Sequence, residues 1–191
     1  LAENSPVIVY RASLLPTYKF DYVSPAASVI TGYTPDEYYA DPSLRNKIIH
    51  PDDRESFEIS MGLGNGDPFV FRWIRKDGTI IWTEQRNILI RDENNRAFAL
   101  EGTVRDITEQ KTAENALRES EEKYRTIFEG APLGIFRSLP EGRFIEVNQA
   151  LADMFGYETP EDVINSIDNI AQQMYTEAGR REEIIKITSK D

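Results

Sequence analysis

The run 69–110, FVFRWIRKDGTIIWTEQRNILIRDENNRAFALEGTVRDITEQ, decides the fold. Its opening alternates, which places Phe69, Phe71 and Trp73 on one face of an extended strand. Asp77-Gly78 is a hairpin turn signal. A partner strand over 79–91 follows, with Ile80 and Trp82 on one face and Ile81 on the other. Residues 92–95 make the next turn, and a third strand covers 97–105. Two further apolar runs upstream, 7–11 and 20–23, complete one five-stranded antiparallel sheet. The helices fall between the two groups of strands, so the class is α+β with the helices on one side of the sheet.

Working outward, Ser24-Pro25 reads as a helix start, with Ser24 as N-cap and Pro25 at the first helical position. A second start lies at Pro35. A longer helix is expected over 51–61, with Asp52, Asp53 and Glu55 at the positive end of its dipole. Gly62, Gly64, Asn65, Gly66 and Pro68 then give a turn-rich loop. It resembles a phosphate loop only superficially, since no Lys-Ser/Thr follows it and no strand precedes it.

After the last strand, Asp106-Ile107-Thr108-Glu109 opens a helix with a capping-box pattern, Asp106 as cap and Glu109 reaching back. Nothing breaks it before Phe128. Glu114/Arg118, Glu119/Lys123 and Glu121/Arg125 are i,i+4 pairs in the favourable order. Ala113, Leu117, Ser120, Tyr124 and Ile127 form a short heptad seam, read either as a dimer interface or as one face of a solvated helix. Gly130 and Pro132 end it.

The chain also repeats itself. Ser5-Pro-Val-Ile-Val-Tyr-Arg11 corresponds to Ala131-Pro-Leu-Gly-Ile-Phe-Arg137, and Gly32-Tyr33 to Gly156-Tyr157. The copies lie about 125 residues apart, the period of a tandem domain array rather than of a solenoid. The second copy stops without a counterpart of the 69–110 run. It therefore reads as a truncated domain whose helices extend through Ile187.

Composition removes many chemistries. With no cysteine there are no disulfides, thiolate metal sites or cysteine nucleophiles. The one histidine, His50, cannot build a histidine-rich metal site, and it reads as structural. A net charge of −11 disfavours nucleic acid and anionic membrane surfaces as direct partners. No apolar run reaches the roughly 20 residues that span a bilayer. The opening residues lack a secretory pattern, so the chain reads as the interior of a longer cytoplasmic protein. Asp52 and Asp53 are better helix-end charges than a catalytic pair, and no nucleophile–base set is present. No catalytic role is expected.

Tyr10, Phe20, Tyr22, Phe71, Trp73 and Trp82 read either as core or as the lining of a ligand pocket. If their strand face points inward, Gln85 and Asn87 are the polar groups that would orient a ligand.

With these elements placed, the chain resembles the PAS family along nearly its whole length. The resemblance is carried by the run 69–110, by Ile49-His-Pro-Asp-Asp-Arg54, and by the junction ALRESEEKYRTIFEGAPLGIF. It implies a complete PAS domain with its C-terminal PAC motif over 1–108, a helical linker over 109–129, and the first part of a second PAS domain over 130–191. It also implies sensory input to an effector in the same polypeptide. A histidine kinase is the leading expectation; a diguanylate cyclase and a ligand-free dimerisation module are the alternatives. Relay is expected through Asp106, Ile107 and Thr108. Haem is not expected, because haem-binding members use a histidine on a helix. The flavin–cysteine adduct is excluded by composition, while noncovalent flavin or another small molecule stays open.

The seam generates a test. Leu117→Glu places like charges across a self-paired helix, and it should lower dimer content in analytical ultracentrifugation without altering the circular dichroism of the first domain.

Overall fold

In β1 (Val7–Ser13) every second residue, Ile8, Tyr10 and Ala12, is buried, and the first sheet is built on that period. The computed structural model describes residues 6–63 and 65–174. They divide between two units, Leu1–Asn115 and Ala116–Asp191.

In the first unit β1 is joined by β2 (Lys19–Val23), β3 (Asn65–Ile74), β4 (Ile80–Arg91) and β5 (Ala97–Asp106). The order across the sheet is β2-β1-β5-β4-β3, with every neighbouring pair antiparallel. Both hairpin turns form where the sequence places them. Gly78 takes a φ of 88° while the Asp77 carboxylate accepts the Thr79 N–H at 2.9 Å. Asp92 likewise accepts from the Asn94 and Arg96 amides, and Asn95 adopts a φ of 63°.

Four helices cover the inner face: α1 (Ala26–Thr31), α2 (Pro35–Ala40), α3 (Leu44–Lys47) and α4 (Arg54–Leu63). Ala27, Ile30, Tyr38, Leu44, Ile49 and Phe57 from this layer meet Ile8, Val23, Leu100 and Val104 of the sheet in one core. The α+β class and the five antiparallel strands stand as the sequence implied.

Several local expectations change. The Ser24 hydroxyl accepts the Val9 N–H at 3.0 Å, and Pro25 takes the cap position of α1. The glycine-rich stretch is not a five-residue loop, since α4 runs to Leu63 and β3 begins at Asn65; residue 64 lies outside the described residues. Asp52 and Asp53 lie in a 3₁₀ turn, Pro51–Asp53, capped by His50, rather than in the helix proper. Their main partner is across the fold. Asp53 Oδ2 accepts the Arg72 backbone N–H at 2.8 Å, and Asp53 Oδ1 accepts from its guanidinium at 2.5 Å. That pair fastens the α4 layer to β3.

α5 (Thr108–Gly130) leaves the first unit and enters the second. Glu114 pairs with Lys111 at 3.0 Å and accepts from Gln110 at 2.8 Å, so it does not form the expected pair with Arg118. The pairs Glu119/Lys123 and Glu121/Arg125 are likewise absent from the ion pairs of the described residues.

In the second unit β6 (Phe136–Ser138) and β7 (Phe144–Val147) pair antiparallel, followed by α6 (Gln149–Phe155), α7 (Pro160–Ser166) and α8 (Ile170–Gln173). Gly156 ends α6 with a φ of 76°, as Gly32 ends α1 with a φ of 77°. The repeated Gly-Tyr is thus a helix stop that only the left-handed backbone region provides. Thr34-Pro35 and Thr159-Pro160 then start the next helix in both units. The helical continuation expected to Ile187 lies outside the described residues.

Arg72 holds the Asp53 carboxyl below the ordinary carboxylate value, chiefly by its side-chain hydrogen bond. A carboxyl lowered in the folded state stabilises above its unfolded pKa, near 4, and loses that contribution as pH falls through the folded value. Asp53→Asn is therefore expected to cost about 2 kcal/mol at pH 7. It should also flatten the acid limb of a urea-stability profile between about pH 5 and pH 2.

Candidate functional site

The inner sheet face and the helices enclose a small cavity of about 30 Å³ in the first unit. That is room for one or two water molecules. Its wall is made by Ile8, Tyr10, Tyr18, Phe20, Val23, Tyr38, Arg45, Ile48, Phe57, Trp73, Gln85 and Val104. The rings meet edge to face: Phe20 lies 6.0 Å from Tyr10, 5.3 Å from Tyr18 and 5.4 Å from Tyr38. Burial pushes the Tyr18 and Tyr38 hydroxyls up to about 12 and raises Tyr10 further, so all three stay protonated near neutral pH.

Three polar groups are linked on the cavity side of the sheet. The Tyr10 hydroxyl donates to Asn87 Oδ1 at 2.5 Å, and Gln85 Nε2 donates to the Tyr10 hydroxyl at 2.7 Å. Gln85 and Asn87 are 2% and 1% exposed, so this face of β4 points inward. Tyr10 and Asn87 belong to strands that are not neighbours. β5 runs between them, and its residue opposite both is Gly102. A Cβ there would lie 2.6 Å from the Tyr10 ring and 2.6 Å from Asn87 Oδ1. Glycine is what lets the phenol cross the strand.

The structure sorts the sequence candidates. Tyr10, Phe20, Trp73 and Gln85 line the cavity, Asn87 supports it through Tyr10, and Phe71 is core packed against Phe57 with ring centroids 5.5 Å apart. Tyr22 is a correction: it is 49% exposed on the outer face. The cause is a register shift opposite Arg11 and Ala12, which pairs Tyr22 and Phe20 with successive residues of β1. One extra residue at a bulge moves the next side chain to the other face. Trp82 is also outward, with the Arg72 guanidinium 5.9 Å from its ring. Tyr18, Tyr38, Arg45 and Phe57 went unnoticed in the sequence, because loop and helix residues carry no period-two signal toward a sheet.

The second locus is the strand-to-helix junction. Asp106 Oδ2 accepts from Arg75 at 2.8 Å, while Oδ1 accepts the Thr108 N–H at 2.9 Å and the Thr108 hydroxyl at 2.5 Å. The Trp82 N–H donates to Thr108 Oγ1 at 2.9 Å, and the Ile107 N–H donates to the Trp82 carbonyl at 2.8 Å. Asp106 does cap the entry to α5, but through an Asx-type turn two residues long. The capping box with Glu109 is not formed, because Asp106 is still in β5 and α5 begins at Thr108.

The seam residues Ala113, Leu117, Ser120, Tyr124 and Ile127 are all exposed. Within the second unit Tyr124 stacks on buried Phe128, with centroids 5.4 Å apart, and its hydroxyl donates to Glu146 at 3.0 Å. Buried Asn148 donates to the Phe128 and Leu133 carbonyls and accepts from the Ile135 and Leu151 amides. His50 accepts the Asp52 N–H at 3.4 Å and serves as a turn cap. Among the described residues no group of three His, Cys, Asp or Glu side chains is placed to hold a metal, and no helix is long and apolar enough to cross a membrane.

Comparison with known proteins agrees with this architecture. A family model described as "PAS fold" matches residues 20–104, and one described as "PAS domain" matches residues 122–186. The chain belongs to the PAS family and carries two such domains in tandem. It is 31% identical over 161 residues to sporulation kinase C of Bacillus subtilis, and 29% identical over 138 residues to the methyl sulfide methyltransferase-associated sensor of Methanosarcina acetivorans. The alignments take in 82% and 70% of this chain but only 36% and 14% of those relatives. A sensory box histidine kinase/response regulator structure from Burkholderia thailandensis shares the fold, with a TM-score of 0.50 at 23% identity, over 62% of this chain and 90% of that one.

Gly102→Ala should cost about 1–3 kcal/mol, the usual range for overpacking a filled core. Thermal denaturation would read the loss, and tyrosine fluorescence the displacement of the Tyr10 ring.

Proposed function

We propose that the chain is a sensory input and relay segment of a larger cytoplasmic signalling protein. In this reading the first PAS domain responds to a small molecule, and α5 carries its state onward to an effector. One observation carries the proposal: the cavity and the junction share a ladder. Gln85 lies opposite Val104, and two residues along β4 Thr83 lies opposite Asp106. A group held at Gln85 is therefore two residues from the carboxylate that fastens α5. A displacement of β4 against β5 acts on Trp82 and Asp106 together, because Trp82 bonds both Ile107 and Thr108.

The effector in this proposal is a histidine kinase, supported by the likeness to a sporulation kinase over most of this chain. Catalysis is assigned to that effector and not to these residues. The exposed seam along α5 supports a homodimer. A second reading, a ligand-free interaction module, is favoured by the small size of the cavity and by exposed Val9, Tyr22 and Ile88 on the outer sheet face.

Asp106→Ala tests the relay. It should speed hydrogen exchange at the first amides of α5, from 108 to 111, by about tenfold, with β1 and β5 still protected. Unchanged exchange there would remove the junction from the mechanism.

A further inference from the structure

The cavity is not walled evenly. Among the described residues that line it, all but Tyr18, Phe20 and Arg45 are buried, and these three reach solvent in part. They are also in contact in series. The Arg45 guanidinium lies 4.0 Å from the centre of the Tyr18 ring, and that ring meets Phe20 edge-on at 5.3 Å. Arg45 also donates a hydrogen bond to the Tyr18 hydroxyl.

Side chains alone join the two sides of this patch. Tyr18 belongs to the loop between β1 and β2, and Arg45 to α3. The loop hangs on the sheet by the Leu14 N–H, which donates to the Phe98 carbonyl at 2.9 Å. The end of α3 hangs on β3 by the Ile74 N–H, which donates to the Ile48 carbonyl at 2.6 Å. Among the described residues no backbone hydrogen bond runs from 14–18 to 41–48. Asp41, the acid shortly before Arg45, is taken by Lys47 at 2.6 Å, which leaves Tyr18 as the partner of the guanidinium. A partly exposed cation on a ring is a weak tie, and a guanidinium released from it is rehydrated.

We propose that the cavity opens to solvent between the β1–β2 loop and α3, and that Arg45 on Tyr18 is the latch that keeps it shut. Swinging the ring and the guanidinium apart breaks no ladder bond of the sheet. Opening the wall elsewhere parts paired strands or the buried helical core. While closed, the latch confines the enclosed volume to water-sized occupants. Under the small-molecule reading it is the route of entry, but it needs only the cavity and stands apart from the choice of ligand or effector. Trp73 reports on it from inside. Its side chain lines the cavity, and its indole N–H is buried without an acceptor among the described residues, so that proton exchanges with solvent once water reaches it.

Hydrogen exchange of the two tryptophan indoles, resolved by nuclear magnetic resonance on the 191-residue chain, reads the latch. Arg45→Met keeps the alkyl stem and should speed exchange at Trp73 by about fivefold, the worth of one exposed cation–π contact. Tyr18→Leu should do at least as much. The double variant should show less than the product of the two effects, because either change removes the same contact. Tyr18→Phe keeps the ring and should give a smaller rise than Tyr18→Leu. The Trp82 indole and the backbone amides of buried Leu100 and Val104 should exchange as in the parent chain. Arg11→Met, which frees a guanidinium paired with Glu101 outside the cavity lining, should leave Trp73 unchanged. The two Tyr18 variants decide by the same readouts if Arg45→Met does not fold. Unchanged exchange at Trp73 in Arg45→Met, effects that multiply in full in the double variant, or equal acceleration at Leu100 and Val104, the mark of a domain loosened as a whole, would overturn the latch.

Discussion

The pairing of β1 with β5 is the constraint on which the first domain depends. It runs in unbroken register from Val7 opposite Arg105 to Ser13 opposite Ala99, joining segments about ninety residues apart. Antiparallel neighbours in sequence, β1 with β2 and β3 through β5, need only hairpins and loops. Joining the two groups makes them one sheet and commits the intervening helices to a single face. It also makes β5 the central strand. The strand that ends the domain is then flanked by β1 on one side and β4 on the other, and any helix that continues it starts from the middle of the sheet.

From that placement follows the division of labour along β5. Leu100, Gly102 and Val104 face the core, while Glu101, Thr103 and Arg105 face out. Of the inward set Val104 lines the cavity, and the strand's last residue, Asp106, holds Arg75 from the β3 end and Thr108 from α5. Carboxylate hydrogen bonds with a cation are about twice as strong as neutral ones, which suits a point where three elements converge. Trp82 adds backbone bonds to both sides of the same joint.

Much of this was legible in the sequence, and the failures have physical causes. Alternation located β3, β4 and β5; the Asp77-Gly78 turn set the pairing of β3 with β4, and the turn at 92–95 that of β4 with β5. The repeated Gly-Tyr and the helix start at Pro35 were visible because they depend on local backbone geometry alone. Tyr22 was misplaced because a bulge cannot be read from a short strand, and one extra residue reverses every orientation beyond it. Arg45, Tyr18 and Phe57 were missed because they reach the cavity from helices and a loop, where side-chain direction depends on how the layer docks. The i,i+4 pairs expected on α5 failed for another reason. Exposed ion pairs contribute little, so Glu114 settles on whichever neighbours, here Lys111 and Gln110, offer donors.

The row Tyr10–Gly102–Asn87 has a consequence for descent. Three strands supply one residue each to a fixed width of sheet, and the side chains of two of them are joined by a hydrogen bond that spans the third. The volume available is shared, so growth at position 102 must be matched by shrinkage at position 10 or retreat at position 87. These positions, distant in sequence, would vary together or not at all. A lineage that exchanged the phenol for an aliphatic residue would free the middle strand to regain a Cβ, and in doing so it would replace a polar ceiling with a greasy one. The chemical character of the pocket is thus set by a residue that contributes no atoms to it.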